Sequence, residues 1–145
     1  MEYQSLRILI VDDEVNIRKT LSLCCETQGH RCTCASTALD AIKAANELIF
    51  DMAFVDLRLG TDNGLECIPN LLSANPWLKI VVVTAYATID SAVKAIQMGA
   101  VDYLPKPFVP EQLSAILLRI QAMRRMESRI QTLQDDLGRL QPLLN

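Results

Sequence analysis

The sequence predicts an α/β fold in which one parallel sheet of five strands carries helices on both faces. Short apolar runs alternate with helical patterns along the first 105 residues. Strands of parallel sheets are buried on both faces, so they read as continuous apolar runs of this kind. We take as strands residues 8–11, 31–35, 52–55, 80–83 and 101–104. Five strands that alternate with helices indicate a doubly wound arrangement.

Four helical windows lie between these strands, at residues 15–28, 38–49, 65–74 and 89–98. Gly29 and Gly99 follow the first and the fourth window, where a left-handed residue often ends a helix. Ser36 or Thr37 is placed to cap the second window at its N-terminus, and Thr88 the fourth. The positions of these helix-ending and helix-capping residues therefore agree with the alternation of strands and helices.

A long helix is predicted from Pro110, which suits a first helical turn, to the breakers Gly138 and Pro142. Its later part carries apolar residues in steps of three and four, at Met123, Met126, Ile130, Leu133, Leu137 and Leu140. This pattern is a heptad seam. One interpretation is a further core helix. We favour a short protruding coiled coil that is marginal in isolation.

The composition and the net charge of the chain argue against several classes of function. The 145 residues carry a net charge of −3, which gives no electrostatic footprint for nucleic acid. Neither a membrane span nor a secretory leader is visible, so the default expectation is a cytoplasmic protein. Four thiols and an imidazole form a cluster in the sequence that invites a zinc interpretation: Cys24, Cys25, His30, Cys32 and Cys34. Small buried thiols are the better interpretation of these cysteines.

Three carboxylates, a hydroxyl and a lysine follow the predicted strands. Asp12 and Asp13 end the first strand, and Asp56 ends the third. Thr84 and Lys106 follow the fourth and fifth strands. These side chains converge on one sheet edge if the first and third strands are neighbours. Clustered carboxylates suit Mg²⁺, which offsets their repulsion, and an ionised Asp beside a metal and a lysine can accept a phosphoryl group.

Four segments carry a family resemblance: VDDE, FVDLRLGTDNG, VVVTAYA and GAVDYLPKPF. In this order and at these spacings they resemble the receiver domain of two-component response regulators. The resemblance implies a flavodoxin-like (CheY-like) sheet of order 2-1-3-4-5 and phosphorylation of Asp56 by a histidine kinase. It also implies Mg²⁺ bound by Asp13, Asp56 and the backbone carbonyl of Arg58, with Asp12 beside the ion.

The resemblance further implies a signalling switch rather than an enzyme. Thr84 and Tyr103 match the switch pair of the family and Lys106 its lysine, with a cis bond expected between Lys106 and Pro107. The segment GAVDYLPKPF before a long helix is most like the receivers of NtrC-like activators. This class implies a receiver at 1–120, a coiled-coil linker at 121–145, and AAA+ and DNA-binding domains beyond it. A homodimer through the fourth helix, fifth strand, fifth helix and coil is expected.

Two residues depart from the family pattern, and the sequence also raises two alternative functions. Gly60 replaces a frequent proline, which would loosen the loop beside Asp56, and Val109 replaces a capping Asp or Ser. Glu14 is expected to open a solvated helical turn more than to bind metal.

A haloacid-dehalogenase-type phosphohydrolase would need a D-x-D-x-[TV] segment that VDDEVN and VDLRLG do not supply. A dimerisation module with a silent site remains the other alternative.

Overall fold

The computed structural model describes residues 5–144, with side chains described as far as residue 140. The helices and strands in chain order are β1 (Arg7–Val11), α1 (Val15–Thr27), β2 (Arg31–Ala35), α2 (Ala38–Glu47), β3 (Met52–Val55), β4 (Arg58–Leu59), β5 (Asp62–Asn63), α3 (Gly64–Ala74), β6 (Lys79–Thr84), α4 (Ile89–Gln97), β7 (Asp102–Pro105) and α5 (Pro110–Leu144). All five predicted strands are present, with ends within one residue of the prediction.

The main sheet has the order β2-β1-β3-β6-β7, and every neighbouring pair is parallel. The short strands β4 and β5 form a separate antiparallel hairpin between β3 and α3. When this hairpin is set aside, the order is 2-1-3-4-5. The predicted fold class and strand order are therefore confirmed.

Two hydrophobic cores lie on opposite faces of the sheet. Successive residues of a strand point to opposite faces. In β1, Ile8 and Ile10 join the core under α1 and α5, whereas Leu9 and Val11 join the core under α2, α3 and α4. This alternation explains why the central strands read as continuous apolar runs.

The predicted helix ends are confirmed where the structure gives their geometry. Gly29 and Gly99 have positive φ angles of 89° and 113° just beyond α1 and α4. The hydroxyl of Thr37 accepts a hydrogen bond from the backbone N–H of Asp40 at the start of α2. Thr88 forms a reciprocal capping box with Ser91 at the start of α4. The Lys106–Pro107 bond is cis, as expected.

Helix α5 begins at Pro110, as predicted, and runs past Gly138 to Leu144. A single glycine costs a helix only about 1 kcal/mol relative to alanine, which does not end it. Val109 cannot cap with its side chain, but Gln112 compensates. Its Oε1 accepts a hydrogen bond of 2.9 Å from the Val109 N–H, which is half of a capping box.

The thiols do not form a metal site in the part of the chain that the structure describes. The one group of potential ligands found there is a carboxylate cluster at Asp12, Asp13, Glu14 and Asp56. Cys67 is buried, and burial raises the pKa of its thiol to about 11, so that the thiol stays protonated. Among the described residues, no helix has the length and apolar character needed to cross a membrane.

Candidate functional site

The candidate site lies at the carboxyl edge of the sheet, beyond β1, β3, β6 and β7. Strands β1 and β3 are neighbours with Val11 paired to Val55, so the next residues, Asp12 and Asp56, emerge side by side. The backbone N–H of Lys106 donates to the carbonyl oxygen of Thr84 over 2.8 Å, which places the end of β7 beside β6. The structure thus places the residues predicted for the site at one edge.

One ammonium group joins the two central carboxylates. Lys106 Nζ lies 2.7 Å from Asp12 Oδ2 and 2.9 Å from Asp56 Oδ2. Asp12 and Asp56 are almost fully buried, as is the lysine side chain, so these contacts are poorly screened by water. The second oxygen of Asp56 accepts a hydrogen bond of 3.2 Å from the Arg58 N–H. Asp56 is therefore held in one orientation.

The pKa values of Asp12 and Lys106 both shift upward. Burial raises the pKa of Asp12, and the hydrogen bond from Lys106 opposes this without cancelling it. Burial alone would lower the pKa of Lys106, but its hydrogen bonds to Asp12 and Asp56 outweigh burial. The lysine is consequently a fixed positive charge at neutral pH.

The negative charge of the cluster exceeds what one lysine can offset. Carboxylate oxygens of Asp12, Asp13, Glu14 and Asp56 all lie within 4.8 Å of one another. Asp12 and Asp56 are buried, whereas Asp13 and Glu14 are exposed and open to solvent. Hard divalent cations prefer oxygen ligands of this kind. The donor set therefore fits Mg²⁺ or Ca²⁺, and the solvent side leaves room for water ligands.

Thr84 and Tyr103 lie beside the cluster and differ in how deeply they are buried. Thr84 is fully buried, and its Oγ1 accepts a hydrogen bond of 3.1 Å from the Tyr86 N–H. Tyr103 lies further out, with its ring against the core under α4. Its hydroxyl is 2.8 Å from Ser91 Oγ, in the first turn of α4. The phenol thereby connects β7 to the start of α4.

The β4–β5 hairpin covers the remaining side of the site. Gly60 has a φ of +62° in the turn of this hairpin, and its N–H donates to Asp13 Oδ2 over 3.0 Å. The loop is thus tied to the acidic cluster by a hydrogen bond that a proline at this position could not donate. A Cβ at Gly64 would overlap the backbone carbonyl oxygen of Asp56, so only glycine fits there.

Arg58 lies over the ring of Tyr86, with its guanidinium carbon 3.8 Å from the ring centroid. This contact is a cation–π interaction between the loops that follow β3 and β6. The family resemblance implies a role for Arg58 through its backbone carbonyl alone. The stacking of Arg58 on Tyr86 could not be inferred from sequence because it depends on the hairpin conformation, for which two-residue strands give no periodic signal.

The chain resembles proteins of known family along most of its length. Residues 8–118 match the family model of the response regulator receiver domain. The alginate biosynthesis transcriptional regulatory protein AlgB of Pseudomonas aeruginosa is 41% identical over 133 residues, which is 92% of this chain and 30% of AlgB. The DNA-binding transcriptional regulator NtrC of Proteus hauseri is 34% identical over 80% of this chain and 24% of NtrC.

A solved structure gives the same result. A response regulator protein from Burkholderia pseudomallei is 35% identical, with a TM-score of 0.74 over 85% of this chain and 75% of that one. Its crystal structure contains a phosphorylated aspartic acid, a calcium ion and citrate. This chain spans less than a third of AlgB and of NtrC. The predicted resemblance is confirmed: the chain belongs to the response regulator receiver domain family, and its relatives include NtrC-like transcription activators.

Proposed function

We propose that Asp56 accepts a phosphoryl group from a sensor histidine kinase and that this chain is the switch of a longer transcription activator. The observation that carries the proposal is the buried Asp56 carboxylate, fixed by Lys106 within a cluster of four acids. The cluster is charged, oxygen-rich and open on one side, as phosphoryl transfer requires.

Asp13 and Asp56, together with the backbone carbonyl of Arg58, are the residues that we expect to hold Mg²⁺, with Asp12 beside it. When bound, the cation stabilises the negative charge of the phosphoryl oxygens and of the carboxylates. Asp13 also accepts the Gly60 N–H. It therefore connects the metal position with the hairpin. The calcium ion in the Burkholderia pseudomallei regulator supports a divalent cation in this family.

The transfer step takes its phosphoryl group from a donor molecule and needs no other co-reactant besides bound Mg²⁺. An oxygen of the Asp56 carboxylate attacks phosphorus, and the bond between phosphorus and the donor breaks, its electron pair leaving with the donor. The donor is the phosphohistidine of the kinase or a small acyl phosphate. Lys106, already 2.9 Å from Asp56 Oδ2, balances the charge of the product. The chain contributes positioning and electrostatics rather than turnover of a substrate.

The phosphoryl oxygens would then attract the Thr84 hydroxyl and the Lys106 ammonium group. The Thr84 hydroxyl accepts from Tyr86 N–H, which leaves its own O–H able to donate to a phosphoryl oxygen. Movement of Thr84 towards Asp56 opens space for Tyr103 to turn inward. This turn would break the contact between Tyr103 and Ser91 and alter the surface of α4, β7 and α5.

We propose that the signal from phosphorylation reaches the output domains through that surface and the end of α5. We assign residues 1–120 to the receiver and 121–145 to a coiled-coil linker, followed in the whole protein by AAA+ and DNA-binding domains. Exposed apolar side chains of Ile89, Val93 and Ile96 lie on α4. Together with α5 they form a surface suited to a second copy of the chain.

The test is the intact mass after incubation with acetyl phosphate, with and without Mg²⁺. We expect one added phosphoryl group in the wild type, dependent on Mg²⁺ and absent from Asp56→Asn. The matched control is Asp62→Asn, which neutralises an exposed carboxylate of the hairpin outside the acidic cluster. It should still be phosphorylated.

The alternative is a dimerisation module with a silent site. In that case no phosphoryl adduct forms under any condition, although Mg²⁺ or Ca²⁺ still binds to the carboxylates. An adduct that survives Asp56→Asn would instead move the acceptor to another residue. Either result would overturn the proposal.

A further inference from the structure

A network of ion pairs lies at the amino edge of the sheet, opposite the acidic cluster. Arg124, in the fourth turn of α5, donates from Nε to Asp51 Oδ1 over 3.1 Å. It also pairs through a terminal nitrogen with Glu127 Oε1 at 3.1 Å. The other oxygen of Glu127 is 2.7 Å from Lys79 Nζ. These four residues, which we call the clamp, join α5 to β3 and β6.

The clamp is built more firmly than ordinary surface ion pairs. The four side chains are between 13% and 20% exposed, so water screens them only in part. Asp51 is fixed independently, because its second oxygen accepts a hydrogen bond of 2.8 Å from the Arg7 N–H. Each carboxylate of the clamp thus accepts from two donors, and each charge has an opposite charge beside it.

The part of α5 that carries the clamp lies beyond the residues that pack on the sheet. The core under α1 and α5 includes Leu113, Leu117 and Ile120, and Met123 packs against its border. Among the described residues, no side chain of α5 beyond Met123 belongs to this core or packs against it. The clamp therefore extends the attachment of α5 by one further turn.

The clamp also determines where the heptad seam faces. At 100° per residue, Arg124, Glu127 and Gln131 share one side of the helix, and Met126, Ile130 and Leu133 lie roughly 130° away. These three seam side chains are 46–64% exposed. The side held by the clamp and the side with the seam are thus different. A second helix can contact the seam without displacing the clamp.

We propose that Asp51, Lys79, Arg124 and Glu127 form an electrostatic clamp that fixes the stalk of α5, residues 121–144, to the receiver and orients its seam outward. Asp51 directly precedes β3 and Lys79 begins β6, whereas Asp56 and Thr84 lie at the opposite ends of the same strands. The orientation of the stalk is therefore set from the strands that carry the acceptor. The clamp itself does not depend on phosphorylation.

Trp77 provides a local probe of the clamp. It is the sole tryptophan of the chain and is 51% exposed. Together with Arg124, Glu127, Ser128 and Gln131 it lines a groove of about 270 Å³. The Lys79 ammonium lies 5.8 Å from its ring centroid. Release of the stalk would expose the rest of the ring and alter its fluorescence.

The experiment compares Arg124→Gln with Arg125→Gln. Both remove one positive charge from adjacent positions of the same helix, but Arg125 is exposed and takes no part in the clamp. Acrylamide quenching of Trp77 should be unchanged in Arg125→Gln. It should rise in Arg124→Gln by at most about twofold, because half of the ring is already exposed. Amide hydrogen exchange across residues 121–131 should accelerate about threefold to tenfold in Arg124→Gln alone.

A salt titration of the wild type avoids any question of misfolding. Raising NaCl from about 0.05 to 1 M shortens the screening length from about 14 Å to 3 Å and should reproduce part of the Arg124→Gln effect. Equal quenching and exchange in the two variants would overturn the clamp. The phosphoryl adduct on Asp56 should form in both variants. Its absence from the wild type would overturn the proposed function and leave this result intact.

Discussion

At the scale of single residues, the chemistry of the site depends on one lysine that lies among several carboxylates. Lys106 contacts Asp12 and Asp56 directly, and its distance to Glu14 is 4.0 Å. The strand ends predicted the convergence of these side chains on the condition that the first and third strands are neighbours, an order that the family resemblance implied. The sequence could not predict that the lysine contacts both buried acids, because that depends on the side-chain reach across two strands.

His30 is a candidate metal ligand in the sequence, and the structure gives it a different role. It is 4% exposed, and its Nδ1 accepts a hydrogen bond of 3.0 Å from the Leu6 N–H. Burial lowers the pKa of His30, against a smaller raising effect of Asp51. The folded chain therefore prefers the neutral imidazole more strongly than the unfolded chain does.

This preference predicts that stability falls as the solution becomes mildly acidic. Between the unfolded pKa near 6.5 and the lower folded pKa, the unfolded state binds more protons, so the free energy of unfolding decreases as pH falls. The slope for one proton cannot exceed about 1.4 kcal/mol per pH unit. Urea unfolding at pH 7.5, 6.5 and 5.5 measures it.

His30→Asn is the control, because His30 is the only histidine and asparagine keeps a hydrogen-bond acceptor without titrating. The slope between pH 7.5 and 5.5 should be smaller in this variant. An equal slope in both proteins would assign the pH dependence to the carboxylates instead.

At the scale of elements, the strands of the sheet were predictable and the hairpin was not. Four consecutive apolar residues mark each of β1 and β3 because both faces of these strands are buried. The hairpin of Arg58–Leu59 and Asp62–Asn63 is too short for any period and contains polar residues. Its conformation depends on the positive φ of Gly60 and on Asp13, which is 47 residues away in sequence. Contacts of this kind appear only in the folded chain.

The contact between β7 and α4 yields a prediction about the switch. Ser91 Oγ bonds to the Tyr103 hydroxyl in the present conformation, which keeps the phenol beside the first turn of α4. Ser91→Ala removes this contact and should favour the inward position. A neutral hydrogen bond contributes about 1 kcal/mol, so beryllofluoride, a phosphoryl mimic, should bind about fivefold more tightly with Mg²⁺.

Ser91 also belongs to the capping box of α4, so the cap needs its own control. Thr88→Ala weakens the same cap but leaves the Ser91 contact to Tyr103 in place. Its affinity for beryllofluoride should stay near that of the wild type. Equal gains in both variants would mean that loosening of α4, and not release of Tyr103, shifts the switch.

At the scale of the whole molecule, β3 and β6 connect two ends with different tasks. Asp56 and Thr84 lie at the carboxyl edge, and the clamp lies at the amino edge, about 16 Å away for five residues of extended chain. Helix α5 runs beside both strands and continues as the stalk. In the proposed dimer, the surface of α4 and α5 and the seam would both contact the second copy of the chain.

Self-association through the seam is the last prediction. The seam is only about two and a half heptads long, which is marginal in isolation, so we expect a concentration-dependent dimer that also uses the exposed face of α4. Leu133 is 62% exposed, and in a dimer two copies of it would be buried at about 1.5–3 kcal/mol each. Leu133→Glu should therefore weaken the dimer by well over tenfold in sedimentation equilibrium. Thr132→Glu adds the same charge at the adjacent position, outside the seam, and should have little effect. If both variants associate as the wild type does, the seam is not the dimer contact.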